Sequence, residues 1–182
     1  MLLFLVNEAV FFGVLIFAWI RFHNEAVAGP GPNASNSLDP GITSIFTVCL
    51  LASSITVWLA DRSLERGSGG AFRAWLLATI ALGAIFLVGQ GLEYARLLTS
   101  DVTVARNLFG TTFFTMTGFH GFHVFVGLVM LSILAGFALA GHYRGGKSAA
   151  LGAISLYWHF VDIVWIFIFS LVYVWTFLGT RG

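Results

Sequence analysis

Residues 163–174 read IVWIFIFSLVYV, a run that is apolar at odd and even positions alike. A strand of a membrane barrel would instead alternate apolar and polar residues with a period of two. Inside lipid a backbone can pair all its polar groups in only two ways, as a helix or as a closed barrel. The run therefore predicts a membrane-spanning helix and, with it, an all-α protein.

The composition of the whole chain also indicates an integral membrane protein. Of the 182 residues, 58% are hydrophobic and 9% are charged, and the mean hydropathy is +0.92. An ordinary soluble domain has about 25% charged residues, so that class is excluded. The single cysteine, Cys49, excludes a disulfide scaffold, and the net charge of +1 predicts no nucleic-acid partner.

Five segments are long and apolar enough to cross a bilayer, which takes about 20 residues. They are residues 2–22, 41–60, 72–96, 108–141 and 149–178. We therefore predict a polytopic membrane helix bundle with five transmembrane helices, forming a single transmembrane domain over residues 1–182. Residues 61–70 are charged and rich in glycine, and they are expected to connect two spans. No lysine or arginine precedes Glu8, so the first segment is predicted to be a true span and not a signal peptide.

The basic residues weakly indicate how the chain is oriented. With five spans, the loops on the N-terminal side contain Arg62, Arg66, Arg73, Arg144 and Lys147. The opposite side contains Arg21, Arg96, Arg106 and Arg181. The positive-inside rule then slightly favours an N-terminus inside and a C-terminus, at Gly182, outside.

Polar side chains within the predicted spans are the candidates for function. An ionisable side chain at membrane depth costs roughly 2.5–3.5 kcal/mol on insertion scales. The candidates are Glu8 in the first span, Gln90, Glu93 and Tyr94 in the third, His120 and His123 in the fourth, and His159 and Asp162 in the fifth. Spacings of three and four residues put each group on one helix face, so we expect each to point into the bundle. Glu8, about two turns from the start of its span, is expected below the lipid headgroups.

The residues alone allow a hydrogen-bond network that joins the helices. Asp162, for instance, could bond to a histidine on a neighbouring helix. Ser53 and Ser54 in the second span would pack closely against a neighbour. Such interhelical contacts contribute only about 0.6–2 kcal/mol each.

A metal centre and a haem site are the other two interpretations. Carboxylate-bridged di-iron bundles use Glu-x-x-His pairs, but here Glu93 is followed at that spacing by Arg96. Haem could be ligated by His120, His123 or His159, on two helices. The sequence contains no Cys-x-x-Cys-His motif, which excludes covalent haem attachment.

Four stretches resemble subunit III of the haem–copper terminal oxidases. NEAVFF at 7–12 is similar to the family's glutamate–phenylalanine motif on an early span, and QGLEY at 90–94 to its Gln-x-x-Glu-Tyr segment. FGTTFFTMTGFHGFHVFVG at 109–127 follows its histidine-rich helix, and YWHFVDIVW at 157–165 follows its most recognisable string. Their order and approximate spacing hold from the first residue to the last span.

This resemblance implies a supporting subunit of a proton-pumping, oxygen-reducing complex in a bacterial cytoplasmic membrane. The subunit would have no catalytic residue, metal or cofactor of its own, and haem and copper would lie in the partner catalytic subunit. It would contact oxidase subunits I and II, bind phospholipid in a cleft, sustain proton uptake and protect the active site from inactivation during turnover. A respiratory supercomplex is left open as a further partner. Glu8 matches the family's carbodiimide-reactive carboxylate, and its other buried polar positions are matched by Glu93, His120, His123, His159 and Asp162.

The chain departs from the family pattern in two ways. Larger members have seven spans, whereas the five predicted here begin with the helix bearing Glu8, as in the shorter bacterial form. The lipid cleft would then be completed differently. Residues 149–156 contain no glutamate, so no role can be transferred from the acid that many members have there. The alternatives are a subunit III-like protein associated with nitric oxide reductase, a small histidine-ligated membrane cytochrome and a proton channel.

Overall fold

Five long helices make up most of the computed structural model. The structure describes residues 1–28, 38–99, 108–143, 146 and 148–175. In the first of these ranges, side chains are described as far as Phe22. The helices are α1 (Leu2–Ala28), α2 (Pro40–Glu65), α3 (Gly69–Thr99), α4 (Leu108–Leu139) and α5 (Ala149–Phe169), the last continued by a π-helical segment, Ser170–Trp175. All five are long and apolar enough to span a membrane, and the described residues contain no strand. The predicted all-α bundle with five spans is confirmed.

Side chains next to the helix starts cap α2 and α5. At the start of α2, the Asp39 carboxylate accepts hydrogen bonds from the backbone N–H groups of Gly41 (3.1 Å) and Ile42 (3.3 Å). Pro40 follows directly, at a position where a missing N–H costs nothing. At the start of α5, the Ser148 hydroxyl accepts from the N–H of Leu151 at 3.2 Å.

The connector predicted at residues 61–70 is wrong over most of its length. α2 continues to Glu65 and α3 begins at Gly69, so the turn comprises only residues 66–68. Gly67 makes this tight turn with a φ of +73°, a conformation that glycine adopts without steric cost. The charged residues at the end of α2 are part of the helix, which continues beyond the apolar segment. The other predicted loops lie largely outside the described residues, as do residues 176–178 of the fifth predicted span.

The five helices form a closed ring. α2 and α3 form a tight hairpin, α3 packs on α4, α4 on α1, α1 on α5, and α5 on α2, while α4 and α5 also touch across the ring. Helices far apart in sequence therefore meet at the centre, where polar side chains from different spans can bond to one another.

Trp158 of α5 is the point where four helices meet. A Cβ added to Gly83 of α3 or Gly127 of α4 would lie 2.8 or 2.7 Å from atoms of its indole ring. The buried ring therefore packs directly on both helix backbones. Its Nε1 donates to the hydroxyl of Ser53 on α2 at 2.8 Å. Small residues allow this close approach, and they fix the position of α5 within the ring.

Candidate functional site

Glu8 of α1 and His123 of α4 form a largely buried pair. The His123 Nε2 lies 3.0 Å from the Glu8 Oε2, and the side chains are 11% and 16% exposed. The His123 Nδ1 lies 2.7 Å from the carbonyl oxygen of Phe119, which only accepts, so Nδ1 carries a proton. The contact between the His123 Nε2 and the Glu8 carboxyl therefore joins either a neutral acid to a neutral imidazole or a carboxylate to an imidazolium. In both forms the pair has no net charge, which suits the interior of a membrane.

Glu8 lies level with the middle of α4, although it is near the start of α1. Its partner His123 is the sixteenth of the 32 residues of α4, near the middle of that helix. The alignment of α1 along α4 causes this, because Trp19 already meets Phe109 near the start of α4, with ring centroids 5.9 Å apart. Tyr157 of α5 donates to the backbone carbonyl of His123 at 3.0 Å and ties a third helix to the pair.

Ser54 of α2 links the two polar residues of α5. Its hydroxyl lies 2.9 Å from the Nδ1 of His159 and is also hydrogen-bonded to the Oδ2 of Asp162. The sequence-based example, in which Asp162 bonds to a histidine on a neighbouring helix, is wrong. Both α5 side chains lie on one face, as their spacing predicts, and a serine of another helix bonds to both.

Glu93 of α3 accepts hydrogen bonds at both oxygens. The Thr43 hydroxyl of α2 donates to Oε1 at 3.1 Å, and the Tyr173 hydroxyl of the π-helical segment donates to Oε2 at 2.8 Å. The Thr43 hydroxyl has one proton and also lies 3.0 Å from the carbonyl oxygen of Asp39, so this proton is shared between two acceptors. Glu93 therefore connects α3 to α2 and to the end of the last span.

Arg96, less than one turn beyond Glu93, pairs with the cap of α2. Its Nη1 lies 3.3 Å from the Oδ2 of Asp39. The backbone N–H of Ile42 lowers the pKa of the Asp39 carboxyl, and Arg96 and the N–H of Gly41 lower it further. A lowered pKa keeps Asp39 ionised at neutral pH, and the cap is lost only as the pH falls through that lowered value.

Gln90 and Tyr94 join α3 to α4 through Thr117. The Gln90 Nε2 donates to the Thr117 carbonyl at 3.0 Å, and the Tyr94 hydroxyl lies 2.5 Å from the Thr117 hydroxyl. Thr117 gives its own proton to the carbonyl of Phe113 at 2.7 Å, so Tyr94 is the donor to Thr117.

His120 differs from the other candidates because it is fully buried without a hydrogen bond. Neither ring nitrogen has a partner among the described residues. The ring stacks on Trp165, with centroids 4.8 Å apart, and meets the edge of Phe86 at 5.9 Å. Its spacing from His123 places both on one helix face, and the Phe12 ring of α1 lies beside both, with centroids 6.5 Å from His120 and 5.1 Å from His123.

The eight predicted residues thus divide into separate groups. Glu8 meets His123, Ser54 joins His159 to Asp162, Gln90 and Tyr94 both meet Thr117, Glu93 bonds elsewhere, and His120 has no hydrogen-bond partner among the described residues. No group of three or more histidine, cysteine, aspartate or glutamate side chains within the described ranges could hold a metal ion.

Sequence reasoning missed the hydroxyl groups that complete these contacts. Ser54 was expected only to pack closely, and Thr43, Thr117, Tyr157 and Tyr173 were not singled out. The available signal was a serine, threonine or tyrosine within an apolar span, where a hydroxyl needs a partner.

Comparison with known proteins shows to which family the chain belongs. The family model described as "Cytochrome c oxidase subunit III" matches residues 1–177. The chain is 34% identical to cytochrome c oxidase subunit 3 of Thermostichus vulcanus, over 97% of this chain and 86% of the relative. It is 34% identical to the probable subunit 3 of Mycobacterium leprae, over 93% of this chain and 83% of the relative. The chain is 36% identical to cytochrome c oxidase subunit 3 of Marchantia polymorpha, over 96% of this chain and 66% of the relative.

These matches cover almost the whole chain and include all five helices. They agree with the resemblance seen in the four sequence stretches, and the relatives include bacterial proteins. This multi-pass membrane chain belongs to the cytochrome c oxidase subunit III family.

Proposed function

We propose that the chain is a cofactor-free supporting subunit of a proton-pumping haem–copper oxidase. It sustains proton uptake, holds phospholipid and preserves the catalytic subunit during turnover. Haem and copper lie in the partner catalytic subunit. The observation that supports this is the Ser54–His159–Asp162 contact, in which a buried and a half-buried ionisable group join two helices. A contact of this kind holds α2 and α5 in a fixed position, as a supporting subunit requires.

The outer surface of α1 supplies an apolar face for oxidase subunits I and II or for lipid. Its most exposed side chains recur every three or four residues and so form one stripe along the helix. They are Leu3, Val6, Val10, Val14 and Phe17. In this proposal the stripe covers a flank of the catalytic subunit, and a respiratory supercomplex would add further contacts.

The proposed orientation, N-terminus inside and C-terminus outside, can be tested by cysteine labelling. Gly182 lies outside the described residues, but Thr99 at the end of α3 lies on the same side of a five-span bundle. In a Cys49→Ala background, Ser68→Cys should react only from inside and Thr99→Cys only from outside. Labelling of both from one side would contradict the five-span topology. An exchange of the two sides would contradict the orientation alone.

The supporting role can be tested by measuring how fast the rate of oxygen reduction decays during turnover. In a complex with the His159→Ala and Asp162→Ala changes, the haem spectrum and initial rate of oxygen reduction should stay normal. The rate should then decay faster than in the unchanged complex, and faster still at high pH, where protons are scarce. Complete removal of the subunit should give a stronger form of the same decay.

Two serine variants of α2 make this test specific. Ser54→Ala removes the same interhelical contact from the other side, so it should reproduce the faster decay. Ser44→Ala is the matched control, because within the described residues the Ser44 hydroxyl bonds only to the Pro40 carbonyl of its own helix, at 2.6 Å. An immediate and complete loss of oxygen reduction in a spectrally intact complex would indicate a direct catalytic role and overturn the proposal.

A further inference from the structure

His159 lies at the outer surface of the bundle, halfway along α5. It is the eleventh of the 21 residues of that helix, and its partner Ser54 is the fifteenth of the 26 residues of α2. The His159 side chain is half-buried. A polar group therefore reaches the surface of the bundle near the middle of two spans, about 15 Å from either layer of lipid headgroups.

Only one of the two ring nitrogens of His159 is bonded within the chain. Nδ1 lies 2.9 Å from the Ser54 hydroxyl, whereas Nε2 has no hydrogen-bond partner among the described residues. Nε2 is also not one of the unpartnered atoms that the fold buries, so it is open at the surface. A hydrogen-bonding atom that faces hydrocarbon is costly, because lipid tails offer neither a donor nor an acceptor.

The hydrogen bonds to Ser54 indicate which nitrogen of His159 carries the ring proton. The Oδ1 of Asp162 is buried without a partner in the described part of the chain, which disfavours a negative charge on this carboxyl. In its neutral form Asp162 donates from Oδ2 to the Ser54 hydroxyl, and Ser54 donates in turn to the Nδ1 of His159. The proton of the neutral imidazole is then on Nε2, which makes Nε2 an outward-facing donor.

Four exposed apolar side chains surround the link between Ser54 and His159. On each helix they lie three residues before and four residues after the linked residue, which places them on the same helix face. They are Leu51 and Trp58 on α2, and Leu156 and Ile163 on α5. These four side chains and the link form what we call the α2–α5 face, an apolar surface with one polar atom, Nε2, near its centre.

Lipid, water and a second copy of the chain cannot satisfy the donor at Nε2. Phospholipid presents oxygens at the level of the headgroups and only hydrocarbon at mid-depth, where water is absent as well. A second copy related by a twofold axis would place an identical donor against this one. A helix of another subunit can supply an acceptor at this depth, because a hydroxyl or a backbone carbonyl oxygen on its surface has a free lone pair.

We propose that the α2–α5 face is covered by a transmembrane helix of another oxidase subunit, and that the Nε2 of His159 donates a hydrogen bond to an oxygen on that helix. Membership of the subunit III family implies that the chain is assembled with other oxidase subunits. The inference rests on the proposed supporting function and names the contact that joins the Ser54–His159–Asp162 link to the partner. The stripe on α1 is a different surface, because its members are all apolar.

Two substitutions of His159 separate the outward contact from the inward one. Glutamine places its amide nitrogen near the position of Nε2, and asparagine places its amide near the position of Nδ1. In the whole complex, His159→Gln should hold the subunit about as well as histidine does. His159→Asn should release it about fivefold more readily, as expected for one lost interhelical hydrogen bond. The measurement is the ratio of this subunit to the catalytic subunit that stays bound over a detergent dilution series.

The opposite order of the two variants would overturn the proposal, because association would then depend on the bond to Ser54. Equal behaviour of the two variants would overturn it too, because association would not depend on a donor at Nε2.

Photo-crosslinking in the native membrane identifies what covers the α2–α5 face. The photoreactive amino acid benzoylphenylalanine replaces Ile163, which is exposed about one turn from His159. The cross-link should map to a transmembrane segment of another oxidase subunit. A cross-link to lipid alone, or to a second copy of this chain, would overturn the proposal.

Both experiments are carried out without turnover, so their failure is distinguishable from failure of the proposed function. Normal endurance of the Ser54→Ala complex would contradict the supporting role and leave the two binding results unchanged. Equal retention of the His159→Gln and His159→Asn subunits would contradict the interface and leave the endurance result unchanged.

Discussion

A His123→Leu variant is expected to lose about 3 kcal/mol of unfolding free energy, because the carboxyl of Glu8 would remain buried without its partner. Glu8→Leu should have an effect in the same direction, since it leaves the Nε2 of His123 without its partner. The two residues are 3.0 Å apart and on different helices. The loss should be measured as the unfolding free energy of the detergent-solubilised subunit in a denaturant titration.

The double variant distinguishes a coupled pair from two independent losses. With leucine at both positions neither residue leaves a buried polar side chain behind, so the double variant should be more stable than the sum of the single effects indicates. His142→Leu is the control, because His142 is an exposed histidine beyond the end of α4 and should change stability by less than about 0.5 kcal/mol. Additive single effects would show that Glu8 and His123 do not stabilise the fold as a pair.

Gly127→Ala is the second large expected effect, a loss of about 1–3 kcal/mol of unfolding free energy through overpacking. The added Cβ would lie 2.7 Å from the Trp158 ring, and the ring cannot retreat because Gly83 lies against it as well. Alanine is otherwise the better helix former, so the direction of the effect comes from packing alone. The same denaturant titration measures it.

Gly136→Ala provides the matched control on the same helix. Apart from the adjacent residues and backbone of its own helix, no atom of the described residues lies within 4 Å of a Cβ at Gly136, so the variant should be unchanged or more stable by about 0.5–1 kcal/mol. A similar loss in the two variants would mean that the Trp158 ring does not limit how closely the helices pack.

Much of the architecture followed from hydropathy alone. The apolar segments predicted all five helices, because lipid offers no partner for an unpaired backbone group and a span needs a minimum length. Spacing along one helix was equally informative, since His159 and Asp162 lie on one face as their three-residue separation requires. These are local properties, and each depends only on residues within one span.

The partners of those residues were decided by tertiary structure. Ser54 meets Asp162 across 108 positions of sequence, and Glu8 meets His123 across 115, in an alignment that places Glu8 at the level of the middle of α4. No local pattern specifies such contacts, because they depend on how far each helix is shifted along its neighbours. Packing sets that shift, as where the Trp158 ring rests on two glycines of different helices. The sequence by itself thus determined which segments span the membrane and which faces are polar, whereas close packing between distant spans determined which polar groups meet.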